Sequence, residues 1–210
     1  MAEFGLTGGI GTGKSTVGAG LVARGATLVD TDAITRELQE PGATVFTAMV
    51  AHFGDGVVAP DGTLDRPAVA AIVFNDPDQL AALNAMVHPA VVEEMMARRQ
   101  AFSAAGDVVL VDIPLMITPD GQMRPEYTTF TAKIVVDCDP EVAVGRLIEH
   151  RGFDEGDAWA RIAAQATRET RLGIADHIID NSGPLDGLEP KLDACWSWMI
   201  ALASGADTQS

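Results

Sequence analysis

The chemistry-bearing residues of this chain begin almost at once. Within LTGGIGTGKSTVG, Leu6 to Gly18, the pattern Gly8-x-x-x-x-Gly13-Lys14-Ser15 has the spacing of a phosphate-binding loop. Gly8, Gly9, Gly11 and Gly13 let the backbone take positive φ and bring N–H groups against a polyphosphate. Lys14 can reach the β and γ phosphates, and the Ser15 hydroxyl can ligate Mg²⁺. A helix starting at Lys14 and running to about Arg24, with Thr16 in its first turn, points its positive dipole end at the same anion. A dinucleotide loop is the rival, because Asp30 and Asp32 follow at about the right distance. That loop wants G-x-G-x-x-G, and Gly9-Ile10-Gly11-Thr12-Gly13-Lys14 puts Lys where the third Gly belongs. Lys14-Ser15 decides for a nucleoside triphosphate.

Other residues could act on that phosphate. A carboxylate at the end of a second strand, Asp30 or Asp32, could orient or deprotonate an attacking hydroxyl. Asp32 also suits a helix N-cap before AITRELQ. Arg36, one turn later, could pair with a second anionic substrate. Asp112, near the end of a third strand, is a candidate partner for Mg²⁺ through water. Its bland alternative is a buried aspartate held by backbone donors. His88, in LNAMVHP, suits a packed or capping histidine better than a catalyst. Arg98-Arg99 suits a solvated face or an anion contact.

Five arginines, Arg146, Arg151, Arg161, Arg168 and Arg171, fall in one short segment. DAWARIAAQATRETRLGIAD reads as a helix, and on it Arg161, Gln165 and Arg168 line one face, with Arg171 three residues on. Such a stripe suits a lid closing on phosphates, with Arg146 and Arg151 reaching in from its hinge. An ordinary wet helix face is the alternative.

The elements that must position these residues follow from pattern. Glu3–Thr7, Ala26–Val29, Val108–Leu115, Lys133–Cys138 and His177–Gly183 are five apolar strands. The third is continuously apolar, as a buried parallel strand should be. Thr44–Ala104 is mostly helical, with a loop from Phe53 to Gly62, and sits where an insertion would cover a substrate. The expected fold is α/β: a three-layer arrangement with a five-stranded parallel sheet flanked by helices, a helical substrate-binding insertion and a helical lid.

The chain has 210 residues, 47% of them apolar, enough for one domain with inserted subdomains. Two cysteines without paired spacing argue against a disulfide framework and a zinc site. Lys14 is the first cation, so no cationic leader is expected, and no apolar run has the length of a membrane span. A cytoplasmic protein is the default. Residues 203–210 read as a disordered tail. The net charge of −16 repels nucleic acid and anionic membranes, so neither is an expected partner.

Taken together, LTGGIGTGKSTV, VDTDAITRELQEPG, LNAMVHP and AAQATRETRLGIADHIIDNSG resemble the dephospho-CoA kinase family, from about Phe4 to Gly183. The resemblance implies transfer of the ATP γ-phosphoryl group, with Mg²⁺, to the 3′-hydroxyl of the dephospho-CoA ribose. It implies one domain over 1–210: a core of 1–31, 105–145 and 174–202, a CoA-binding helical subdomain at about 32–104, and a lid at about 146–173. By it Asp32 is the general base, and Gly11 to Thr16 form the ATP loop. Arg36, the segment around His88 and Leu115 fall on the acceptor side. Arg146, Arg161 and Arg168 belong to the phosphate-clamping part, and Asn181 to the adenine-side loop. A monomer or weak homo-oligomer is expected. One departure stands out: after DIPL the family continues with Leu, a variable residue and Glu, whereas this chain reads MITPDGQMRPEYTTF. The nearest rival is another small-molecule P-loop kinase. A regulatory GTPase would need N-K-x-D, and a D-x-x-G after the third strand, and neither is present.

Overall fold

A computed structural model describes residues 2–205. Five strands form one sheet: β1 (Glu3–Gly8), β2 (Thr27–Asp30), β3 (Val109–Asp112), β4 (Ala132–Asp137) and β5 (His177–Asp180), in the order β2-β3-β1-β4-β5. The pairs of β1 with β3, β1 with β4 and β4 with β5 are parallel, with Glu3 beside Val109, Phe4 beside Ala132 and Ile134 beside His177. Parallel pairing needs crossovers, and helices supply them. They are α1 (Lys14–Ala23), α2 (Thr31–Leu38), α3 (Thr44–Phe53), α4 (Arg66–Phe74), α5 (Pro77–Ala105), α6 (Pro140–Arg151), α7 (Glu155–Ala163), α8 (Arg168–Gly173) and α9 (Glu189–Ala203). The third strand is shorter than its apolar run. Pro114 has no N–H to give a ladder, so the strand ends at Asp112. None of the described helices is long and apolar enough to cross a membrane.

The chain divides into two compact units, Met1–Val29 with Arg99–Ser210, and Asp30–Arg98. In the first, Phe4, Leu6, Leu110, Ile134 and Ile179 of the sheet are buried with Val17 and Leu21 of α1 and Leu192, Cys195 and Met199 of α9. Contact between α1 and α9 is close because α1 carries Gly20: a Cβ there would stand 2.5 Å from Leu192 Cδ1. Arg24, just after α1, donates to Glu189 Oε2 at 2.7 Å and to Asp193 Oδ1 at 2.7 Å and 2.9 Å. The tail expectation meets the structure only in part. α9 runs through Ala203, and residues 206–210 lie outside the described residues.

The second unit has its own small core, Val45, Met49, Val57 and Val69, with Leu38, Phe53, Leu83 and Val87 against it. The Phe53–Gly62 loop holds a short turn of helix at Asp55–Val57, and Val58 bridges to Leu64.

Residues 116–131, where the sequence departs from the family pattern, are folded. Met116 and Ile117 are buried, Ile117 bridges to Met123, and Tyr127 stacks on Phe130 at 6.3 Å. This segment closes on β1 where Gly5 makes room. A Cβ at Gly5 would lie 2.6 Å from Met116 Cε and 2.8 Å from Phe130 Cδ2. Arg99 is no solvated residue: it is 4% exposed, pairs with Glu3 and lies 4.5 Å over the Phe130 ring. Arg98 pairs with Glu94 at 2.7 Å and Glu37 at 2.5 Å, so neither arginine is an uncommitted anion contact.

Candidate active site

The loop between β1 and α1 is shaped by glycine. Gly11 and Gly13 sit at φ 80° and 84°, the left-handed region that costs other residues energy. A Cβ at Gly8 would come 2.7 Å from Val136 O, so the loop leaves β1 pressed against β4. Thr12, 4% exposed, braces the turn by donating its hydroxyl to Gly9 O at 2.8 Å. Its own carbonyl accepts from Asn181 Nδ2 at 2.8 Å and Arg146 Nη1 at 3.4 Å. Arg146 Nη2 also donates to Asn181 O at 2.8 Å. Arg146 from α6 and Asn181 after β5 therefore grip the loop from behind.

α1 then opens on Gly13 with no side-chain cap and no acid in its first turn. A helix start normally satisfies its leading N–H groups with a capping oxygen. Here those donors point at whatever anion the loop receives. Lys14 ion-pairs with Asp112 at the end of β3, both side chains mostly buried, and the Ser15 hydroxyl is exposed beside them in sequence.

Two cavities flank the loop. One, of about 290 Å³, is lined by Gly11, Gly13, Ser15, Thr16, Arg146, His150, Arg151, Asn181 and Leu185. The other, of about 260 Å³, lies between Gly9, Ile10 and Thr12 and the segment 159–171.

That segment is not one helix. α7 ends at Ala163, and Thr167 caps α8 by accepting from Thr170 N. Arg161, Gln165 and Arg168 therefore share no helical face. Arg161 lies 5.2 Å over the Phe153 ring. Gln165 Oε1 accepts from Ile10 N at 2.9 Å, a contact with the phosphate loop that sequence pattern had not singled out. Arg168 reaches Asp137, a 5% exposed residue ending β4, through Nε at 2.9 Å and Nη2 at 2.6 Å. Arg168 of the expected stripe is thus held in an ion pair, and Asp137 is a site residue that sequence reasoning missed. Its position at the C-terminal end of a parallel strand was the available signal.

In the second unit, Asp30 is the N-cap of α2: Oδ1 accepts from Asp32 N at 2.8 Å and Ala33 N at 2.9 Å. The capping role expected of Asp32 belongs to Asp30. Asp32 stands in the first turn, exposed. Arg36 is mostly exposed, with Nη2 4.0 Å from Asp30 Oδ2. His88 lies half-buried in mid-α5, just before Pro89. Leu115, after β3, is 54% exposed.

A parallel sheet whose first strand runs through a lysine-bearing glycine loop into an uncapped helix defines a P-loop nucleotide-binding protein. Comparison with known proteins narrows this. The family model described as dephospho-CoA kinase matches residues 3–186. A dephospho-CoA kinase of Streptomyces avermitilis is 47% identical over 95% of each chain, and one of Thermobifida fusca is 44% identical over 93% of this chain and 95% of its own. Among solved structures, one from Thermus thermophilus is 31% identical with a TM-score of 0.77, covering 94% of this chain and 97% of that one. A Campylobacter jejuni dephospho-CoA kinase, at 20% identity and TM-score 0.70 over 98% of each chain, shares the fold. The chain belongs to the dephospho-CoA kinase family, transferases that act at the last step of coenzyme A biosynthesis.

Proposed function

We propose that this protein transfers the γ-phosphoryl group of ATP to the 3′-hydroxyl of the dephospho-CoA ribose. The observation that carries the reading is the opening of α1: uncapped, acid-free and headed by Lys14, in a chain of net charge −16. A phosphate chain completes such a helix start. In the transfer, the ribose oxygen bonds to the γ-phosphorus as the bond from that phosphorus to the β–γ bridging oxygen breaks. The hydroxyl proton passes to a base, and ADP leaves.

Asp32 is proposed as that base. With Asp30 holding the N-cap, the Asp32 carboxylate is not committed to the helix. Lys14 and the loop amides hold the phosphates. Arg146 and Asn181 set the shape of the loop and border the cavity of about 290 Å³ that suits the adenine end of the donor. Arg36, His88 and Leu115 are assigned to the acceptor, and Arg161 and Arg168 to the segment that covers the phosphates.

Mg²⁺ fits the residues present. Ser15 and Asp112 are hard oxygen donors, and with nucleotide phosphates and water they form the kind of set Mg²⁺ prefers. When bound, the ion neutralises phosphate charge. The division into core, CoA-binding subdomain and lid, a cytoplasmic setting and a monomer or weak homo-oligomer complete the proposal.

The test is one incubation of purified protein with Mg²⁺, ATP and dephospho-CoA, read by mass. One phosphate gained by dephospho-CoA, with ADP formed, is the expected result. ATP binding without coenzyme A formation overturns the choice of acceptor.

A further inference from the structure

Where its sequence departs from the family pattern, after β3, the chain builds a small hairpin. Ile117 bridges to Met123, and the turn between them is closed by Gly121 N donating to Thr118 O at 2.8 Å and Thr118 N to Gln122 O at 2.9 Å. The Thr118 hydroxyl adds two bonds, donating to Gln122 O at 3.0 Å and accepting from Gln122 N at 3.1 Å. Pro119 fixes one φ of the turn, and Gly121, at φ 85°, supplies the left-handed one. Met116 and Ile117, 0% and 4% exposed, root the base. Fixed at base and tip, the hairpin is a stiff projection, and its tip meets α8. A Cβ at Gly121 would stand 3.1 Å from Thr170 Cγ2, so glycine lets the turn come this close. The Thr170 hydroxyl lies 2.7 Å from Thr167 Oγ1 in the cap of α8, and its methyl faces the hairpin.

α8 needs outside support. It has six residues, none of them buried, and a helix that short does not hold itself in place. Arg168 on Asp137 ties it to β4, and Gln165 on Ile10 N ties the residues before it to the phosphate loop. The hairpin tip adds a steric stop to these two polar ties. We propose that the hairpin of residues 117–123 is a strut for the cover of the active site, with Gly121 and Thr170 as positioning residues. The tip fixes where α8 rests beside the phosphate loop and so keeps water from the γ-phosphoryl group. This inference rests on the reading above that the segment bearing Arg161 and Arg168 covers the phosphates. Water competes with the acceptor hydroxyl there. Its oxygen can bond to the γ-phosphorus as the bond from that phosphorus to the β–γ bridging oxygen breaks. Its proton then passes to a base, and ADP and inorganic phosphate leave. A kinase prevents this loss by closing its site. A short helix free to lift gives water a path, whereas one held between β4, the phosphate loop and the hairpin does not.

The test compares the wild-type enzyme with three variants of the full chain. In one, residues 118–122 are replaced by a two-residue Asn-Gly turn, which withdraws the tip. Gly121→Asn keeps the left-handed turn at little cost but sets a Cβ against the Thr170 methyl. Thr170→Ser removes that methyl and keeps the hydroxyl that bonds Thr167. The first readout is the ratio of ADP released to coenzyme A formed. Wild type is expected to give about one to one, and each variant about twofold or more ADP per coenzyme A, with KM for ATP moving by less than about threefold because the phosphate loop is untouched. The second is amide hydrogen exchange, expected to quicken by about tenfold or more in α8 of the shortened hairpin while β1 keeps its wild-type protection. ADP and coenzyme A staying one to one in all three variants overturns the proposal. So does α8 exchange that the shortened hairpin leaves unchanged. If the shortened hairpin does not fold, Gly121→Asn and Thr170→Ser carry both readouts. Wild-type protein that makes no coenzyme A sinks the choice of acceptor instead. Acceptor-free hydrolysis of ATP, expected to rise in the variants, and α8 exchange then still decide for or against the strut.

Discussion

Replacing Gly13 by alanine tests how the phosphate loop is held. Gly13 sits at φ 84° and ψ 23°, a left-handed conformation that costs a residue with a Cβ about 1–2 kcal/mol. The new Cβ would also stand 2.4 Å from Asn181 Nδ2. Asn181 is 6% exposed and donates to Thr12 O at 2.8 Å. Its amide must retreat, which leaves a buried donor poorly satisfied at a cost of about 1–3 kcal/mol. Together these come to about 2–5 kcal/mol, or on the order of 10 °C in Tm for a chain of this size. The assay is thermal unfolding followed by circular dichroism for Gly13→Ala, Asn181→Ala and the double variant. In the Asn181→Ala background the overlap is gone, so Gly13→Ala should cost only its backbone share, about 1–2 kcal/mol. Two results refute the reasoning: Gly13→Ala melting within about 2 °C of wild type, or an equal cost in both backgrounds.

Three further predictions concern the reaction and the core. Asp32→Asn is expected to keep ATP affinity while kcat falls by about 10²-fold or more, the scale of a lost general base; steady-state kinetics showing near wild-type turnover would remove Asp32 from the mechanism. Lys14→Ala is expected to weaken ATP binding and lower kcat, each by about tenfold or more, since it removes the loop's cation; unchanged kinetics would undo the loop's assignment. Cys195 is fully buried, and burial pushes its thiol up to about 12, whereas an exposed thiol ionises near about 8.5. Above about pH 8.5 the unfolded chain loses this proton while the folded chain keeps it. Its contribution is therefore constant below that pH and declines by about 1.4 kcal/mol per pH unit up to about pH 12. Urea midpoints for wild type and Cys195→Ala at a series of alkaline pH values check this, and parallel curves would contradict it.

How much of this was legible in the sequence depended on how local the physics was. The five strands and the loop from Gly8 to Ser15 could be read because apolar runs and fixed glycine spacing are properties of short stretches. DTD could not be divided between its two aspartates. Asp30 and Asp32 both precede helical residues, and only the backbone, extended at Asp30, decides which one caps. The break before α8 was hidden because Arg161, Gln165 and Arg168 keep helical spacing through it; Thr167 was the signal, as a capping residue inside a helical pattern. The Arg168–Asp137 pair spans 31 positions and the Ile10–Gln165 bond 155, and no periodicity carries such information. Lys14 and Asp112 were each marked as phosphate-site residues, yet their pairing across β1 and β3 is a property of strand order.

The contact between α1 and α9 bears on how the site comes into being. No residue of α9 lines either cavity beside the loop, yet Leu192 fills the space left by Gly20, and Glu189 and Asp193 clasp Arg24. The helix that offers its N-terminus to phosphate is therefore braced by a helix far along the chain, Arg24 and Asp193 standing 169 positions apart. α1 leaves the ribosome well before α9, so the residues that grip phosphate are made before the helix that braces them, and nucleotide binding reports a chain folded through α9.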